Sequence, residues 1–142
     1  MGSTKFGSII ASETPGLIGF SAPVTEATAG VVAFTAANIL SGLILRDPNG
    51  AGRADTLPTA SAILAALNDQ FGQTKAVVGT SFEFTIRNTA DAAETITVST
   101  ATGLTLSGTM TIAQSNSKRF LAVVTGVSTP AVTVYSLGTV VH

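Results

Sequence analysis

The chain has 142 residues, the size of one domain that buries roughly two-thirds of its unfolded surface. Only 11% of residues are charged, against about 25% in ordinary soluble domains, and the formal net charge is −1. No long-range positive field exists to attract a phosphate backbone, so nucleic-acid binding is not expected. Without Cys, and with His142 as the single His, the chain lacks the usual parts of zinc centres and of a firmly held Ser-His-acid triad.

Hydrophobic residues reach 45% and mean hydropathy is +0.48. The longest apolar stretch, Val31 to Leu45, is interrupted by Thr35, Asn38, Ser41 and Gly42. It falls short of the roughly 20 apolar residues of a spanning helix, so no membrane partner is expected. The surplus points instead to surface hidden against copies of the chain or a larger assembly. The start, MGSTKFGSII, carries neither a secretory h-region nor Ser or Thr where N-myristoylation needs one, since Phe6 stands there.

Residues 1–38 scatter apolar anchors among Gly, Ser, Thr, Ala and Pro without a sustained period. Two readings stand: an extended N-terminal arm that lays Phe6, Ile9, Ile10, Leu17, Ile18 and Phe20 on another surface, or ordinary loop and edge strand of the same domain. The arm is preferred, with a β-domain over 39–142. ILSGLIL, Ile39 to Leu45, has strand length and ends at the turn Arg46-Asp47-Pro48-Asn49-Gly50.

Pro58 to Phe71 is the one expected helix. Ile63, Leu64, Leu67 and Phe71 recur at helical spacing, Thr56 is placed as N-cap, and Gly72 ends it. Ser81 to Asn88 then alternates, with Phe82, Phe84 and Ile86 on one face and Glu83, Thr85 and Arg87 on the other. Ile96 and Val98 continue the inward set, followed by Leu104, Leu106, Met110 and Ile112 across a bend or turn at Gly108. Phe120 to Val124 is apolar on both faces, and Ala131 to Leu137 sets Val132 and Val134 opposite Tyr135 and Leu137. Strands at this spacing predict a mainly β protein: an antiparallel β-sandwich, jelly-roll-like, or a small barrel with one short helix.

Arg46, Asp47, Arg53 and Asp55 place four charges within ten residues of a charge-poor chain. They form either a local network that holds the turn or a subunit contact. Asp47, Asn49 and Asp55 offer calcium-type oxygens, but their spacing follows no EF-hand pattern. Eight acids, none singled out as a pair, give no glycosidase constellation, and Gly50-Ala51-Gly52 lacks the Gly-Lys-Ser/Thr of a phosphate loop. No enzyme and no cofactor is expected.

Several phrases in order carry a resemblance. LILRDPNGAGRADTLPTA, VVGTSFEFTIRNTADAAETITV, GLTLSGTMTIAQSNSKRFLAVVT and AVTVYSLGTV, between residues 39 and 141, resemble small head proteins of tailed bacteriophages, of the capsid decoration or cement kind. The resemblance implies a β-sandwich, commonly a homotrimer, on the outer surface of the virion. Such a protein clamps neighbouring major capsid proteins, is assembled in the host cytoplasm, and has no active site. A phage tail or fibre-attachment β-domain engaged in host recognition is the alternative, although the sequence shows no shaft.

Overall fold

A computed structural model of the chain describes residues 21–72 and 75–142. It contains β1 (Val24–Glu26), α1 (Ala36–Leu40), β2 (Leu43–Arg46), β3 (Arg53–Thr56), α2 (Ala60–Phe71), β4 (Ser81–Asn88), β5 (Ile96–Ser99), β6 (Leu104–Ser107), β7 (Thr111–Ile112), β8 (Asn116–Gly126) and β9 (Ala131–Val141). The six-stranded sheet runs β1-β2-β4-β8-β9-β6, and a three-stranded sheet runs β3-β5-β7. The protein is mainly β, as the alternation requires.

Pairing sense is mixed within that class. β1–β2, β2–β4, β3–β5 and β6–β9 are parallel, while β4–β8, β8–β9 and β5–β7 are antiparallel. Alternation reports which face a side chain takes and is silent on the direction of its neighbour. The parallel β2–β4 pair is made possible by a long crossover through β3 and α2.

One face of the large sheet meets a layer made from the small sheet and α2. Ile44, Phe84, Ile86, Phe120, Ala122, Val132 and Val134 from one side and Ile96, Val98, Ile112, Ile63, Leu64 and Leu67 from the other form one continuous core. Phe84 and Phe120, paired directly across β4 and β8, stack with ring centroids 5.1 Å apart. This is the alternating pattern expressed as packing.

Three local expectations change. The run Ile39 to Leu45 divides: Ala36–Leu40 is helical because Thr35 and Asn38 form a reciprocal capping box, and only Leu43–Arg46 is strand. The longer helix begins at Ala60, with Thr59 as N-cap accepting from the Ala62 amide. Thr56 belongs to β3, where its backbone exchanges hydrogen bonds with Val32 and Phe34. Phe71, expected on the buried stripe of that helix, is exposed at its last turn.

The segment assigned to an arm is in part domain. β1 pairs with β2, Phe34 is buried in the core, and Thr56 ties to both Val32 and Phe34, so residues 21–38 follow the loop-and-edge-strand reading. Phe6, Ile9, Ile10, Leu17, Ile18 and Phe20 lie outside the described residues.

Candidate functional site

Arg46 points inward from β2, since its neighbour Ile44 is buried two residues earlier on the same face. Asp55 points inward from β3, and the two meet between the sheets with both side chains 0% exposed. Arg46 Nε donates to Asp55 Oδ2 at 2.7 Å and Nη2 to Oδ1 at 3.2 Å. Nη1 also donates to the carbonyls of Thr28 at 2.9 Å and Asp47 at 2.6 Å, and Nη2 to that of Gly30 at 2.6 Å. All five guanidinium hydrogens are thereby used. Asp55 Oδ1 accepts in addition from the Val32 amide at 2.9 Å.

This cluster fastens the 28–32 segment, the 46–47 turn and both sheets to one another. Arg46 and Asp55 have the geometry of the local-network reading: both are fully buried, and every guanidinium donor is used inside the chain. Asp47 and Arg53 stay partly exposed but serve the same turn. Asp47 accepts from the Asn49 amide, and Arg53 Nε donates to the Pro48 carbonyl at 3.2 Å. Among the described residues no three His, Cys, Asp or Glu converge as metal ligands.

Glu26, beside the cluster, is held below the ordinary carboxylate range by the Thr28 hydroxyl and amide, which donate to its Oε1, with a smaller contribution from the Arg46 charge.

Sequence reasoning missed three buried polar groups. Asn88 follows Phe82, Phe84 and Ile86 on the inward parity of β4, which was the available signal. Its Nδ2 donates to the carbonyls of Glu94 and Ile112, stitching β4 to the small sheet. Glu94 accepts from the Gly50 amide through Oε1. Lys118 is 4% exposed and donates to the Thr109 carbonyl at 2.9 Å, and burial pushes its ammonium pKa down.

His142 is better placed than a terminal position suggests. Its amide donates to the Ser115 carbonyl, and its Nε2 lies 2.8 Å from Ser117 Oγ. Among the described residues no carboxylate hydrogen-bonds the imidazole, so the pair lacks the orienting group of a triad.

The other face of the six-stranded sheet has no covering layer among the described residues. Register rows run across it: Leu45, Arg87, Ser117, Val140; then Leu43, Thr85, Arg119, Gly138; then Glu83, Leu121, Tyr135. Glu83 and Arg119 form an exposed ion pair at 3.4 Å. The remaining positions are mostly aliphatic or hydroxyl-bearing, with Tyr135 40% and Val140 59% exposed. A depression of about 330 Å³ opens between the first two rows, lined by Thr85, Ser117, Arg119, Gly138, Thr139 and Val140. Leu121 and Val123, the second apolar face of β8, are half-buried here. Chemically, the surface offers apolar contact and hydroxyl hydrogen bonding.

No protein family, characterised protein or solved structure matches the chain.

Proposed function

We propose that this chain is a structural protein of a tailed-bacteriophage head, which binds the outside of the shell, associates with copies of itself and clamps neighbouring major capsid proteins. The observation that carries the reading is the face of the six-stranded sheet that no described residue covers, wide and, apart from Arg87 and the Glu83–Arg119 pair, built of aliphatic, hydroxyl-bearing and Gly positions on a well-packed scaffold. A lone domain of this size rarely leaves such a face to water without a partner for it. The phrases between residues 39 and 141 that resemble phage head proteins supply the identity of that partner.

The mechanism is multivalent. Each copy contributes one modest contact to the shell, and linking copies turns the second contact into an intramolecular one at high effective concentration. The N-terminal residues Phe6, Ile9, Ile10, Leu17, Ile18 and Phe20 are proposed as further anchors on the capsid or a neighbouring subunit.

The test is addition of the purified protein to decoration-free heads, followed by particle imaging and a count of copies per shell. Many symmetric copies are expected. A handful at a single vertex indicates the tail-attachment alternative, and no bound copies overturns both.

A further inference from the structure

The second half of β9 is half a strand pair. On one side it pairs with β8, from Asn116↔Val141 to Arg119↔Gly138. On the other side β6 accompanies β9 only from Val132 to Tyr135, and the chain then turns at Gly108 towards the small sheet. Leu137, Gly138, Thr139, Val140 and Val141 are all exposed, with no strand beside them among the described residues. The strip contains no charge and no Pro, and beyond the irregularity at Leu137, between the Phe120↔Ser136 and Arg119↔Gly138 pairs, it runs in regular register to Val141, so that single bulge is the one usual edge-blunting device it carries.

The sequence of this strip is complementary to itself. If two copies meet antiparallel about Thr139, Leu137 stands opposite Val141 and Gly138 opposite Val140. Gly138 has open space where a side chain would project, with no atom within 4 Å of an added Cβ, and Val140 is the side chain that reaches out. A projecting residue on each copy thus meets a vacant position on the other, twice by symmetry.

The point where the segment before Ser21 enters the described fold lies away from this strip. Ser21, where it joins the described fold, lies beside Ala37, Leu40 and Ser41 of the α1 region and Ala66, Asp69 and Gln70 of α2, at the start of β1. Leu137–Val141 lies across the sheet from it: Val24 shares a register row with Thr139 through Ile44, Ile86 and Lys118, so β2, β4 and β8 stand between the two.

We infer that Leu137–Val141 is a self-association edge, by which two copies of this chain join antiparallel about Thr139 into one continuous twelve-stranded sheet. The inference does not rest on the virion reading. It commits to two chains, whereas the phage resemblance implies three. Five residues of edge bury less than the ~800 Å² per partner of a standard interface, so the pair dissociates on dilution.

The test is sedimentation equilibrium of the full chain as its concentration is raised towards ~1 mM, where an association of about 4 kcal/mol is half-saturated. The mass is expected to rise from one chain to two. Thr139→Lys and Thr139→Asp each place like charges directly opposite across the two-fold and are expected to stay monomeric. Mixed in equal amounts, they are expected to recover the two-chain species as a heterodimer. Thermal melts of the separate variants should match the parent, since Thr139 is exposed. A parent that remains monomeric or settles at three chains overturns the proposal. So do single variants that associate as well as the parent, or a mixture no more associated than its components.

Discussion

Arg46 stands at the centre of the residue-scale argument because its charge is buried without being wasted. Removing either partner of a buried ion pair leaves an unpaired charge in the core, at a cost of about 3–5 kcal/mol. Arg46→Ala and Asp55→Ala are therefore each expected to lower the urea midpoint by that equivalent. The double variant is expected to cost less than the sum, because each single change already strands the other group. Lys118 gives a pH signature. Burial lowers its folded pKa below the ordinary 10.5. Between the lowered value and 10.5 the unfolded chain binds more protons than the folded one, so its contribution to stability rises as pH rises through that window. Lys118→Met is expected to flatten this alkaline rise, read from urea midpoints taken from neutral pH upward.

At the scale of elements, turns decide where strands stop. Gly103 opens β6 at φ +82°, and a Cβ there would stand 2.7 Å from both Ala60 Cβ and the Pro130 carbonyl oxygen. Gly103→Ala must displace the start of α2 or the β8–β9 turn. It is expected to cost at least about 1–2 kcal/mol by strain in the left-handed region alone. Thr59→Ala removes the hydroxyl that caps α2 and is expected to cost about 1 kcal/mol, read as a lower melting temperature. The sequence made β4 legible to the residue, since Phe82, Phe84 and Ile86 alternate without interruption. It concealed the break at Ser41-Gly42, because five of the seven residues of ILSGLIL are apolar and a short buried helix and a strand share that composition. The charged cluster was visible as a spacing, but whether Asp55 faced inward depended on β3, a four-residue strand with no apolar alternation. Thr56 and Thr59 are chemically equivalent caps, and only the pairing of β3 with β5 selects the second.

For the whole molecule, removal of residues 1–20 is expected to release the protein from phage shells, measured as copies per particle; unchanged occupancy would discard the anchor role of that segment. The open sheet face was foreshadowed by Phe120 to Val124, apolar on both sides, whereas the free edge of β9 was not, because it arises from where β6 ends in space. Order of synthesis adds a constraint of its own. β4 has β2 on one side and waits for β8 on the other, and β6 has no partner in its sheet other than β9. The inner neighbours that complete the large sheet, β8 and β9, are thus the last of the described strands to be synthesised. A nascent chain ending before Asn116 must hold Phe84, Leu104 and Leu106 without the strands that cover or align them. Such a chain is expected to be cleaved readily by protease while the full chain resists, so the domain acquires its protection only once β8 and β9 are in place.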